Sequence, residues 1–215
     1  MLNKCKSKSK DFSNGEKNVI IKGINIRADM RLKYWRSIMK LLVIVDYQND
    51  FVNGSLGFEA AAALDRKIAH RIRDYRKEGG EVIYTMDTHQ EDYLSTQEGT
   101  KLPVPHCIED TPGHKLFGFT AKERTDKDKV FYKDTFGSLE LADYLKFRSY
   151  ESVELVGLVT NMCVLANAIM VKTALPETEV IIDTDYVAAP DSELEAKTFD
   201  VMEGLQITVV RHEAE

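Results

Sequence analysis

The sequence predicts an α/β fold, a three-layer α/β/α sandwich. Three observations predict it. Six short apolar, β-branched runs recur along the chain, most are separated by segments with helical periodicity, and 215 residues at 43% hydrophobic content suffice for one full core. Strand followed by helix, repeated, implies parallel pairing, with crossover helices covering both faces of the sheet. The expected sheet is mostly parallel, roughly six-stranded and Rossmann-like, with reactive groups beyond the carboxyl ends of its strands.

The elements follow in order. Leu41–Asp46 (LLVIVD) reads as the first strand, and Leu64, Ile68, Ile72 and Tyr75 then line one face of a helix that Gly79-Gly80 should stop. Glu81–Asp87 and Lys129–Lys133 read as the second and third strands, and Leu141 with Leu145 marks the next helix. Ser152–Val159 is a fourth, Val- and Leu-rich strand, with Leu165, Ile169 and Thr173 at helical spacing behind it. Glu179–Asp183 and Ile207–Val210 complete the set. Between them a helix carries Leu194, Val201 and Met202, with a capping box at Ser192 and Glu195 and a stop near Gly204. Only Asp87–Gly118 breaks the alternation. It is polar, punctuated by Pro103, Pro105 and Pro112, and holds three of the five histidines, so it reads as a long functional loop.

Charge divides the chain. Residues 1–40 carry eleven Lys/Arg against three Asp/Glu, a net +8, and the remainder carries −14 of the overall −6. Residues 1–38 are therefore expected to be a basic, poorly ordered N-terminal extension, with Met39 as the functional start of a folded domain over 39–215. The acidic body lacks an aromatic-interleaved basic surface, which argues against a nucleic-acid partner. No run approaches the ~20 apolar residues of a membrane span, and the N-terminal stretch lacks the apolar centre of a secretory signal, so a cytoplasmic location and no membrane partner are expected. Cys5, Cys107 and Cys163 are odd in number and widely spaced, unlike a disulfide framework or a cysteine zinc site.

Cys163 sits where an apolar strand stops and a helix starts, in VGLVTNMCVLANAIM. A thiol at the positive end of a helix dipole is expected to favour the nucleophilic thiolate. Asp46 closes the first strand, Asp87 the second and Lys133 the third, so all should meet Cys163 at one rim of the sheet. An aspartate, a lysine and a cysteine gathered there suit amide hydrolysis: the ammonium lowers the thiol pKa, and the carboxylate takes its proton and returns it to the departing amine. Asp87 and His89, two apart in extended chain, project to one side and could share an ion with His106 from the far limb of the loop. Read singly, Asp46 is equally a turn cap, Lys133 a solvated strand end and Cys163 a buried apolar side chain.

Five segments in this order, LLVIVDYQNDFVNGSLG, YTMDTH, PHCIEDTPG, VFYKDTFGS and GLVTNMCV, give the chain from about Met39 to Val210 a resemblance to the isochorismatase-like cysteine hydrolases, nicotinamidases in particular. That resemblance implies a catalytic set of Asp46, Lys133 and Cys163. It implies a cis peptide at Leu158–Val159 and an oxyanion hole from the amides of Val159 and Cys163. It implies one divalent ion, zinc first with iron or manganese also suited, on Asp87, His89 and His106, and places Glu98 where some members supply a further carboxylate. It implies substrate contacts at Phe51 and Leu158, a small-molecule amide substrate and a homo-oligomer. Pro103 and Met162 stand where nicotinamidases commonly carry aromatic residues. The implied reaction converts nicotinamide or a close small amide to the acid and ammonia through a thioester. The alternatives are another small amide or carbamoyl compound, or a non-catalytic binding protein on the same fold.

Overall fold

A computed structural model of the chain describes residues 39–212. The expected basic extension, residues 1–38, lies outside the described residues. Strand β1 (Leu41–Val45) leads through two short helices, α1 (Asn49–Val52) and α2 (Glu59–Ala63), into α3 (Asp65–Lys77) and then β2 (Glu81–Asp87). A 3₁₀ turn at Tyr93–Ser95 and the helices α4 (Gln97–Lys101) and α5 (Gly118–Glu123) precede β3 (Lys129–Lys133) and α6 (Leu139–Leu145). After β4 (Ser152–Leu158) come a π-helical turn at Thr160–Val164, α7 (Leu165–Ala174), β5 (Glu179–Ala188), α8 (Ser192–Gly204) and β6 (Thr208–Val210).

All five strand pairings are parallel, in the order β3-β2-β1-β4-β5-β6. The order reverses between β1 and β4, so a crevice opens beyond the carboxyl ends of these two central strands. Alternate residues of β1 serve opposite faces. Leu41, Val43 and Val45 pack with Leu141, Leu145, Val171 and Met202 beneath α6, α7 and α8; Leu42 and Ile44 pack with Ile68, Ile72 and Tyr75 of α3. Both faces of β1 and β4 are covered, which is why β1 is apolar without alternation and β4 is buried along its whole length, with Glu154 paired to Arg71. Gly157 of β4 has φ +116, and a Cβ there would lie 2.2 Å from the Val45 carbonyl oxygen, so only glycine fits against β1.

The structure corrects several expectations. The buried stripe of α7 is Asn167, Ala168 and Val171; Ile169 and Thr173 face outward because the wide turn before α7 shifts the helical phase. In α8 the buried residues are Thr198, Phe199 and Met202, whereas Leu194 and Val201 are exposed. Its cap is Asp191, whose carboxylate accepts the Glu193 and Leu194 N–H groups, each at 3.0 Å. Glu195 is engaged elsewhere, accepting from the Thr160 hydroxyl at 2.6 Å. The segment from Asp87 to Gly118 is not wholly loop, since the Tyr93–Ser95 turn and α4 lie within it. Gly79, at φ +80, does follow the end of α3, but the left-handed residue after α8 is Gln206 rather than Gly204. No helix among the described residues is long and apolar enough to cross a membrane.

Candidate active site and metal centre

The carboxyl ends of β1, β2, β3 and β4 deliver the expected groups to one place. Asp46 follows β1 with φ +46, a left-handed conformation that an aspartate tolerates better than most residues. Its carboxyl is fully buried. Oδ1 accepts from Thr85 Oγ1 at 2.7 Å, and Oδ2 stands 2.6 Å from Lys133 Nζ. That approach is a buried ion pair, which favours the carboxylate form of Asp46. Burial raises the Asp46 carboxyl above its ordinary range; Lys133 pulls it back and Asp87 adds to the rise.

Lys133, paired with Asp87 in the β2–β3 register, also reaches Asp87 Oδ1 at 3.1 Å and Cys163 Sγ at 3.6 Å. Burial opposes its charge, but Asp46, Cys163 and Asp87 outweigh burial and hold it as an ammonium. One buried cation thus joins Cys163, Asp46 and Asp87.

Cys163 lies inside the π turn rather than at the first residue of an α-helix. Burial pushes its thiol well above the ordinary value, Lys133 pulls it down, and Asp46 and Asp87 add to the rise. Burial thus works against the resting thiolate expected from the sequence, and the Lys133 ammonium offsets it only in part. The Val159 carbonyl accepts the amides of Met162 at 3.0 Å and Val164 at 3.2 Å, and the five-residue step to Val164 passes over the Cys163 amide. Asn167 Nδ2 holds the Cys163 carbonyl at 2.8 Å. The Leu158–Val159 peptide is cis.

The second constellation forms beside the first. His89 Nε2 lies 2.9 Å and His106 Nε2 3.3 Å from Asp87 Oδ2, and one ligand atom from each of the three residues falls within 4.8 Å of the others. Glu98 Oε1, from α4, stands 3.9 Å from His89 Nε2 and 3.8 Å from His106 Nε2, on the edge of the group. His106 Nδ1 donates to the Val104 carbonyl at 2.8 Å, which in the neutral ring leaves Nε2 a lone pair aimed at a carboxylate oxygen. Such convergence of acceptors needs a proton or a cation between them, so the donor set fits a divalent ion. Burial raises the Asp87 carboxyl, but its contacts with the His106 and His89 rings, with the Lys133 charge, overcome this and hold it well below the usual carboxylate range. Burial lowers His106, and its contact with Asp87 reverses that to a net rise.

Phe51 packs its ring 5.4 Å from that of His106, at the border of the metal group. Leu158 is fully buried in the apolar cluster on the α3 side, so its side chain offers no exposed surface to a substrate. Met162 is exposed at the mouth of the π turn. Sequence reasoning missed Thr85, Gln48 and Tyr93. Thr85 orients Asp46, Gln48 holds the Asp87 backbone, and Tyr93 packs edge-on against the rings of His89 and His106 at 4.7 and 5.0 Å. A signal existed for Gln48, an amide two residues past Asp46 in a stretch otherwise headed for the core.

The chain was compared with known proteins. Residues 40–214 match the isochorismatase domain. The nicotinamidase/pyrazinamidase of Mycobacterium tuberculosis is 32% identical over 149 residues, spanning 60% of this chain and 77% of that protein. The nicotinamidase of Saccharomyces cerevisiae is 26% identical over 215 residues, spanning 80% of this chain and 99% of that one. The crystal structure of the pyrazinamidase of Pyrococcus horikoshii in complex with zinc superposes with a TM-score of 0.70 at 25% identity, covering 80% of this chain and 99% of that chain. With five sequence segments, one sheet order and a matched domain in agreement, this chain belongs to the isochorismatase domain family.

Proposed function

We propose that the chain is a metal-dependent cysteine amidohydrolase that converts nicotinamide, or a close small aromatic amide, to the carboxylic acid and ammonia. The carrying observation is Lys133 Nζ set 2.6 Å from Asp46 Oδ2 and 3.6 Å from Cys163 Sγ, beside the Asp87, His89 and His106 group. Relatives named for nicotinamide and pyrazinamide hydrolysis support the substrate class.

The resting thiol is neutral, so attack requires that its proton move to Asp46 Oδ2 as the sulfur–carbon bond forms. Lys133 stays charged throughout and offsets the negative charge passing between carboxylate and sulfur. The amides of Val159 and Cys163 face the developing oxyanion in this reading. Asp46 then gives its proton to the amide nitrogen, the carbon–nitrogen bond breaks and ammonia leaves a Cys163 thioester. Water attacks the thioester and loses a proton to Asp46, and the departing sulfur recovers a proton, restoring thiol and carboxylate. Asp87, His89 and His106, with Glu98 at the edge, would hold the ion; zinc is the first choice and iron or manganese are alternatives. Bound there, the ion supplies a Lewis-acid point that can anchor a heteroaromatic nitrogen of the substrate. Phe51 borders that position. The same reading places the protein in the cytoplasm, in NAD salvage, as a homo-oligomer.

Exposed Met162 and Pro103, in place of aromatic residues, favour a second substrate reading, a non-aromatic small amide or carbamoyl amine on the same machinery. Ammonia release from nicotinamide, pyrazinamide and a panel of aliphatic and carbamoyl amides separates the two. Cys163→Ala is expected to abolish release on every member, and output unaffected by that change would overturn the catalytic assignment. Ion content after mild chelation, and in a His89→Ala/His106→Ala variant, tests the metal; content equal to that of the untreated protein would end that claim.

A further inference from the structure

β1 and β2 do not end together. Their ladder closes at Val45 opposite Thr85, and the last bond between them runs from the Asp46 N–H to the Thr85 carbonyl at 3.2 Å. The left-handed φ of Asp46 then carries the chain off the sheet, while β2 continues two residues further to Asp87. On its other side β2 is still paired, since Thr88 N–H donates to the Lys133 carbonyl at 2.8 Å. The N–H and C=O of Asp87 therefore point toward β1, where no strand remains to receive them.

The Gln48 side chain fills that place. It is fully buried. Its Oε1 accepts the Asp87 N–H at 2.8 Å, and its Nε2 donates to the Asp87 carbonyl at 2.8 Å and to the His114 carbonyl at 2.8 Å. A primary amide carries the same donor and acceptor as a peptide unit, so it can pair with a strand residue on both groups at once. Asp87 needs such fixing because its two oxygens face different partners, Oδ1 toward Lys133 and Oδ2 toward the two imidazoles. A small rotation of its backbone would break one set to improve the other.

We infer that Gln48 is a positioning residue for the metal centre, its amide acting as a substitute rung of β1 that sets the direction of the Asp87 carboxylate. This rests on the proposed metal site. The proposed base, Asp46, and the proposed metal ligand, Asp87, are thereby fixed by one short turn, Asp46 to Gln48.

The test compares zinc affinity of the full chain with that of Gln48→Met, which keeps length and bulk but neither donor nor acceptor. Zinc binding, measured by competition with a chromophoric chelator, is expected to weaken about 10- to 100-fold. The cobalt(II) d–d spectrum is expected to change in position or intensity, and far-UV circular dichroism to stay native. Tyr150→Phe, which removes a 2.8 Å bond to Glu81 at the opposite end of the sheet, is expected to leave zinc affinity unchanged. Folded Gln48→Met with affinity within about threefold of the parent would overturn the inference, as would an equal loss in Tyr150→Phe. If Gln48→Met does not fold, amide hydrogen exchange on the parent chain decides. Protection of the Asp87 amide comparable to that of Thr85 supports the substitute rung, and exchange as fast as a loop amide overturns it. A parent chain that binds no zinc, cobalt or manganese would instead sink the metal reading, and the Asp87 exchange rate would still report on the rung.

Discussion

Thr85→Val isolates the proton-transfer step from the rest of the site. The substitution preserves shape and removes one bond, the 2.7 Å hydrogen bond from Thr85 Oγ1 to Asp46 Oδ1, between two fully buried groups. A hydrogen bond to a charged acceptor contributes about 1.5–3 kcal/mol. It stabilises the carboxylate over the acid, so its loss raises the Asp46 pKa beyond the rise that burial already imposes. At about 1.4 kcal/mol per pH unit the displacement is roughly one to two units upward. Asp46 must be a carboxylate to accept the Cys163 proton. The acid limb of kcat/KM should therefore move to higher pH by that amount, with a smaller effect on the plateau. The variant should also lose about 1–3 kcal/mol of stability in urea, because Oδ1 is left buried without a donor. Ammonia release across pH 4 to 9, with metal content checked at each end, is the assay, and Thr85→Ser should return the limb toward the parent position. A Thr85→Val limb that coincides with the parent's would refute the role assigned to Asp46.

Other expected outcomes follow from single contacts. Arg71→Met leaves Glu154, 1% exposed on its side chain, with only the Tyr75 hydroxyl, and should cost about 3 kcal/mol in chemical denaturation, the low end for breaking a buried pair because the Arg71 side chain is itself 31% exposed. Its kcat at 25 °C should not change. Gly157→Ala drives a methyl into the β1 backbone at a residue with positive φ; a loss above about 3 kcal/mol, or failure to fold, is expected, and a thermal midpoint equal to the parent's would contradict the packing described. Asp191→Ala should remove about 1 kcal/mol by uncapping α8, read by urea denaturation.

The strands were legible because burial on both faces leaves β1 continuously apolar and β4 rich in Val and Leu, a pattern that survives without knowledge of their neighbours. The ends of β1, β2 and β3 were legible too, since Asp46, Asp87 and Lys133 interrupt apolar runs where a parallel sheet opens its crevice. Helix faces were less so. In α7 and α8 each buried stripe is set by the turn that precedes the helix, and neither the π turn nor the Asp191 cap can be phased from apolar spacing alone. The state of Cys163 is hard to read from sequence for a related reason: the dipole of a helix start is visible in the order of residues, whereas the burial that raises the thiol depends on segments far along the chain. Gln48 and Thr85 stayed hidden because their partners are backbone or carboxylate groups about 40 positions away.

Burial encloses the proposed nucleophile and favours its neutral thiol, which bears on chemical labelling. General alkylating reagents react with thiolates and depend on a standing population of them. Cys163 should stay inert to iodoacetamide at neutral pH under conditions that consume a free thiol such as glutathione. Electrophiles that mimic a planar carboxamide, and so occupy the crevice long enough for Asp46 to withdraw the proton, should capture it selectively, which makes shape rather than intrinsic reactivity the route to a covalent probe of this protein.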